Sequence, residues 1–446
     1  MSATTAPIPS PEQLLLIERG RSVLPGGVCS STRFNQAWGR PVYASRAKGS
    51  RFWDVDGNEF LDMSMSHGAA LLGHGPDCLR EVFDKVWELG LMCSLDGPYH
   101  IELAEQLCEI VPCAERVRFT GSGSEATLHA LRLCRAVSGR DKIIRFHGHF
   151  HGYHEFTFIG GHPPADQLDA TPPYRESAGI PKALAELIIT AEYNDLDALE
   201  RLVKQHKHEA GTILIEPVDY NCGAIPPEPG FLEGARRLAD EHGLILFFDE
   251  IQSFAKKSPG GAQQDFGVTP DICTIGKSLG AGLPLSAIAG KAELMDRFKP
   301  VGDVAHSGTF NAPLPSILAG LAFVRAIRTP EFWQHIHSLS DHLGRGLNDI
   351  SHRSPIPCRF QIHGSRFGLI FGTREPVKNY RDSLCHRREV MLEFCRQTTA
   401  RGIYFHDYGG GPCHHGFSTA HTAADIDRIL QAVDDSLKAM ASQSSC

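Results

Sequence analysis

Several chemistries are missing from this chain of 446 residues. Its 13 cysteines are scattered and include no Cys-x-x-Cys pair. That spacing excludes a zinc ribbon or a thioredoxin-like motif and leaves free thiols in a reducing compartment as the reading. The apolar runs, such as residues 244–248, fall far short of the ~20 residues a bilayer-spanning helix needs. The first residues show no basic segment followed by an apolar core, so no signal peptide is expected and the chain is expected in the cytoplasm. Basic residues form no stripe, and with a net charge of −8 nucleic acid is not an expected partner. Internal repeats and low-complexity tracts are also lacking. What remains is an ordinary globular composition, 42% hydrophobic and 22% charged, long enough to bury a large core without cross-links.

Residues 1–10 read as a disordered arm, with a helix starting at Pro11. Residues 51–63, RFWDVDGNEFLDM, alternate around an Asp-Gly turn and predict a β-hairpin. From about residue 77 helical spacing alternates with short apolar runs: RVRFT, KIIRF, GTILIEP, LILFFDE, DICTIG and LSAIAG. Strands apolar on both faces and separated by helices predict a mostly parallel sheet covered on both sides. The expected organisation is an N-terminal segment (1–75), a large α/β domain (76–325) and a C-terminal α+β part (326–446). The two end segments together form a smaller domain, and an amphipathic helix closes the chain.

Lys277 sits in TIGKSLGAG among small and apolar residues. Alone it reads as a snorkelling lysine at a strand end. In a partly apolar cleft, though, a lysine loses its proton more readily and becomes a nucleophile toward aldehydes. Asp249 and Glu250 end an apolar strand, Asp249 standing 28 residues before Lys277. Ligands of open α/β sheets bind beyond the carboxyl ends of the strands, so both residues can line one edge. Residues 116–140 form strand, Gly/Ser turn and helix, with Ser122, Gly123 and Ser124 at the helix start, where an anion binds well. Ser122 and Glu125 also fit a capping box. His147, His149 and His151 alternate and would suit zinc or copper. A metal-dependent hydrolase is therefore a rival reading, but the continuation through Gly152 reads as loop rather than a rigid ligand set, and no metal is expected. Phosphate cup, acid and lysine in that order suggest pyridoxal phosphate, whose aldehyde needs an amine, whose ring nitrogen needs an acid and whose phosphate needs a helix start.

These motifs resemble the class III aminotransferases of the type I pyridoxal phosphate transferase fold, in particular the glutamate-1-semialdehyde aminomutase group and its β-amino acid aminotransferase relatives. The pieces that carry the likeness are GSGSEATLHALRL, FFDEIQSF and PGGAQQDFGVTPDICTIGKSLGAGLP. The resemblance implies that Lys277 forms the Schiff base and moves the proton, and that Asp249 pairs with the pyridinium nitrogen. Ile251 would pack on the ring and Gln252 lie near its phenolic oxygen. Ser122, Gly123 and Ser124 would hold the phosphate, with Phe150, where relatives often carry tyrosine, stacked on the ring and His151 beside it. Thr309 would reach the neighbouring subunit's phosphate, which implies a homodimer with shared sites. Arg33 would grip a substrate carboxylate, and Glu216 and Asn221 would line the substrate side. His67 stands where the aminomutase usually has tryptophan, and Asn221 where many ω-aminotransferases have a switch glutamate. The tail 404–417 carries no arginine, which argues against glutamate or 2-oxoglutarate as co-substrate. The expected reaction is transfer of an amino group from an amino acid, such as a β-amino acid, to a keto acid. The alternative is an aminomutase or racemase working with the same residues.

Overall fold

The computed structural model describes residues 7–443, so the first six residues of the expected arm lie outside the described residues. The helix expected from Pro11 runs over Pro11–Val23, with Ser10 capping its start.

Seven strands form the central sheet: β1 (Arg116–Thr120), β2 (Lys142–Phe146), β3 (Ile188–Ala191), β4 (Ala210–Ile215), β5 (Ile245–Glu250), β6 (Ile272–Ile275) and β7 (Ser286–Gly290). Their spatial order is β1-β7-β6-β5-β4-β2-β3. All pairs are parallel except those of β7, which runs antiparallel to both neighbours. Every residue of β4 and β5 is buried, the reason these stretches are apolar without alternation. Successive side chains still point to opposite faces. Ile143, Leu214, Phe247, Ile272 and Ile288 pack with Ala126, Leu131 and Leu133 of the helix Gly123–Ser138. Ile144, Ile213, Leu246, Phe248 and Cys273 join the larger core on the other face, with Leu238 of helix Phe231–His242 and Leu321 of helix Leu314–Ile327.

The two ends of the chain meet in a second sheet. The expected hairpin forms from Arg51–Asp54 and Glu59–Asp62. Strand Ile403–Tyr404 pairs parallel to Glu59–Asp62, and Ala44–Lys48 lies on the far side. A third sheet joins Cys358–His363, Arg366–Phe371 and His414–Gly416, all antiparallel. This is the type I fold expected, a large α/β domain with a smaller α+β one. Among the described residues no helix is long and apolar enough to cross a membrane.

Candidate active site

The strands β1, β2, β4, β5 and β6 all deliver residues to one edge of the sheet. There a cavity of about 220 Å³ is bordered by Gly123, Ser124, Phe150, His151, Glu216, Asn221, Asp249, Ile251, Gln252 and Lys277. Gly152 and Tyr153 also border it.

Alternation along β5 separates the two acids at its end. Asp249 faces the cavity. Its Oδ1 accepts from the Thr274 hydroxyl (2.9 Å) and the Ile251 N–H (3.1 Å), while Oδ2 is 2.8 Å from His151 Nδ1. Glu250 points the other way and accepts from the Gln263 N–H (3.2 Å), the Gln263 side-chain amide (2.9 Å) and the Ser253 hydroxyl (2.9 Å). It is therefore a structural cap for the short helix Ala262–Phe266.

Lys277 follows β6 through Gly276, where a Cβ would stand 2.5 Å from Ser286 Oγ and 2.8 Å from Ile251 Cδ1. Only glycine fits there. Lys277 itself has φ of 46°, left-handed for a residue with a side chain, the kind of strain that gathers at working sites. Among the described residues its Nζ makes no hydrogen bond or ion pair. Burial lowers its pKa, against the pull of the Glu216 and Asp249 carboxylates, and Arg366 adds to the lowering.

Helix Gly123–Ser138 opens at the cavity. Ser122 Oγ caps it by accepting from the Glu125 N–H at 3.2 Å. The reciprocal half of the expected capping box is displaced: the Glu125 carboxylate accepts from Gly121 N–H (3.0 Å), one residue before the cap. Ser122 is thus occupied with the helix and does not border the cavity, whereas Gly123 and Ser124 do. The first-turn N–H groups of a helix have no acceptor within it and face an anion readily. Gly152 packs over this start with φ of 101°, where a Cβ would meet Ser124 Cα at 2.7 Å.

Four expected residues stand apart. Arg33 is exposed, although Thr32 beside it accepts from His406 at 2.7 Å. Thr309 is exposed in the loop before helix Leu314–Ile327. His67 lies next to the cavity rather than on it, its Nδ1 2.9 Å from the Tyr408 hydroxyl and its ring edge-on to His406. Burial pulls the His67 pKa down to about 3, so it is neutral. Ser122 is the fourth.

The histidines of 147–154 are committed to separate partners. His147 Nδ1 pairs with Gly160 O (2.9 Å), His149 Nδ1 accepts from Glu216 N–H (3.1 Å), and His154 Nε2 contacts the Thr127 hydroxyl (3.1 Å). No group of three His, Cys, Asp or Glu among the described residues is placed to hold a metal.

Arg366 is the residue that sequence reasoning missed. It is 1% exposed, donates to Ser64 O (3.0 Å) and His414 O (3.2 Å), and makes no ion pair among the described residues. The tail 404–417 lacks an arginine, but Arg366 pairs with Gly416 across the third sheet and brings one to that place. Its signal was a lone charge opening the apolar run RFGLIFG.

Two buried atoms facing this region, His151 Nε2 and Gln252 Oε1, have no partner among the described residues. An unbonded amine, a carboxylate held from behind and a helix start on one small cavity suit a planar ring that carries an aldehyde, a basic nitrogen and a phosphate. The arrangement fits a pyridoxal-phosphate enzyme acting on amines. The chain belongs to the class-III aminotransferase family, whose sequence pattern matches residues 34–437. The glutamate-1-semialdehyde 2,1-aminomutase of Methylacidiphilum infernorum is 35% identical over 427 residues, 95% of this chain and 97% of its own. An omega-transaminase from Sphaerobacter thermophilus superposes with a TM-score of 0.88 at 31% identity, over 95% of this chain and 97% of its own. A β-phenylalanine aminotransferase from Variovorax paradoxus does so with a TM-score of 0.84 at 27% identity, over 96% and 93%. Pyridoxal phosphate is the cofactor.

Gly152→Ala is expected to weaken cofactor retention by about tenfold or more, because the left-handed backbone and the contact with Ser124 each cost of the order of 1 kcal/mol or more. Pyridoxal phosphate absorbance remaining after dialysis measures this.

Proposed function

We propose that this enzyme moves an amino group from an amino acid to a keto acid, with Lys277 as the working amine and Asp249 as the partner of the ring nitrogen. The observation that carries the reading is the unbonded Lys277 Nζ on the same cavity as Asp249. When bound, pyridoxal phosphate supplies an aldehyde that condenses with amines and a ring that draws electrons from the attached carbon. The chain's own residues do the rest. Lys277, with its proton affinity lowered by burial, takes a proton from the substrate carbon and returns one nearby. Thr274, His151 and the Ile251 N–H keep Asp249 aimed into the cavity. Gly123 and Ser124, with Ser122 as the cap behind them, would hold the phosphate, Phe150 and Ile251 would enclose the ring, and Gln252 would serve its phenolic oxygen. Glu216 and Asn221, joined at 3.1 Å, form the substrate side with His67. Arg33, exposed and apart from the cavity lining, would be the contact for a substrate carboxylate. Residues 76–325 form the cofactor-binding unit, and 1–75 with 326–446 the unit that carries His67 and Arg366. The compartment is the cytoplasm.

The relatives include both a transaminase and an aminomutase. The decisive experiment mixes the holoenzyme with a panel of α- and β-amino acids and no acceptor. Transfer yields about one equivalent of keto acid per site, since each subunit works once before it needs an acceptor. An isomerised or racemised amine without keto acid would overturn transfer and establish the second reading.

The proposal includes a homodimer. Trp87, Leu91, Leu95, Ile101 and Phe310 are 92, 61, 69, 62 and 68% exposed. Single exposed apolar residues are ordinary, but a set of this size marks an association surface. Thr309 adjoins it and would reach a second copy's phosphate. Leu95→Asp is expected to weaken self-association by about tenfold or more by burying an unpaired charge, and to lower activity with it. Sedimentation across a concentration series measures the first and turnover the second.

A further inference from the structure

Lys256 is a fully buried lysine that the mechanism does not use. It makes no ion pair among the described residues. Its Nζ donates to Ser278 Oγ at 2.7 Å and lies 3.4 Å from Phe254 O, and Ser278 Oγ donates to Phe254 O at 3.2 Å. A buried ammonium without an acid is costly, and burial holds the Lys256 pKa well below its ordinary value. An apolar side chain would fill the same space more cheaply. What the amine adds is one hydrogen bond across to Ser278 and one within its own turn to Phe254 O, and the Ser278 hydroxyl that it meets closes a second link between the turns. One turn follows β5 and carries Ile251 and Gln252. The other follows β6 and carries Lys277, immediately before Ser278. Both turns are strained, with φ of 54° at Ala255 and 46° at Lys277.

The Lys256 backbone reaches a third place. Its carbonyl accepts from Ser365 N–H at 2.9 Å. Gly364 sits so close that a Cβ there would stand 2.1 Å from that carbonyl oxygen. This is the turn that leads into the strand opened by Arg366. One residue therefore touches the Lys277 turn through its amine and the Arg366 hairpin through its carbonyl.

We propose that Lys256 is a positioning residue: its amine, acting through the Ser278 hydroxyl, holds the Lys277 turn in its working conformation and links it to the hairpin that carries Arg366. This rests on Lys277 being the working amine. Neither Lys256 nor Ser278 borders the cavity, so both act through Lys277.

The test is the pH titration of the bound pyridoxal phosphate absorbance in holoenzyme carrying Lys256→Met, Ser278→Ala, both, or Lys256→Arg. Glu216, Asp249 and Arg366, the charged groups that act on Lys277, are unchanged in all four. The two single variants are expected to move the titration midpoint in the same direction by about half a pH unit or more, and the double variant no further than the larger single, because residues acting in one chain are not additive. Lys256→Arg is expected to restore the wild-type midpoint. Wild-type midpoints in both single variants, or shifts that add, would overturn the proposal. If Lys256→Met does not fold, Ser278→Ala, which removes one oxygen, decides by the same criterion. Lys277→Ala separates the two levels. If borohydride still traps the cofactor on the protein of that variant, the assignment of Lys277 fails. If trapping is lost there while Lys256→Met titrates as wild type, only the positioning role fails.

Discussion

Replacing Lys277 by alanine is expected to lower turnover by at least about 1,000-fold, since one positioned proton-transfer group alone contributes 10²–10⁴ and this residue also supplies the amine. The loss should fall on kcat. The Lys277 amine has no hydrogen bond or ion pair among the described residues to lose, so the protein should fold and still bind pyridoxal phosphate through the phosphate cradle. Borohydride reduction followed by peptide mapping should place the cofactor on Lys277 in the wild type and find no attachment in the variant. Normal turnover by Lys277→Ala would remove the residue from the mechanism.

Asp249→Asn is expected to lower kcat by about 100-fold or more, by the same scale for a charge that steadies a transition state. Asparagine keeps the shape and the acceptor for Thr274 and Ile251, whose bonds to Oδ1 are 2.9 and 3.1 Å. What it removes is the negative charge that would hold a proton on the ring nitrogen. KM should change only a few-fold, because the substrate contacts proposed lie at Arg33, Glu216 and Asn221. A variant with wild-type kcat would show that the ring nitrogen needs no charged partner here. His151, whose own pKa burial lowers against the pull of Asp249, meets the Asp249 carboxylate at 2.8 Å and orients it.

Much of the fold was legible because long apolar runs have only one use in a chain of this composition. The runs 210–215 and 245–250 had to be buried on both faces, and each became a fully buried strand. The pieces that went unread are short. Strands Ile403–Tyr404 and His414–Gly416 have two and three residues, too few to display a period of two. They exist because the hairpin 51–62 and the strand 366–371 offer them edges. The site shows the same division. Lys277, Asp249 and the Gly123–Ser124 turn each stand at a strand end or helix start, places that a sequence marks with glycine and serine. Arg366 follows Gly364 and Ser365, but these mark a hairpin turn and not a site, and Lys256 stands between Ala255 and Lys257 with no such mark beside it. The capping box was half legible, since the Ser122 bond to the third residue is local, but the choice of Gly121 by Glu125 depends on how the strand enters the helix.

The sequence by itself determined the alternation of helix and strand, the order of phosphate cup, acid and lysine, and so the class of cofactor. Those features are local, set by backbone preference and by which residues can be buried. The tertiary structure decided which of two adjacent acids faces the cavity, which arginine stands near Lys277, and which buried amine braces its turn. Each of these depends on contacts between residues far apart in the chain: Asp249 with His151, Arg366 with His414, Lys256 with Ser278. Only the pairing of distant strands within one sheet brings such pairs within hydrogen-bond reach.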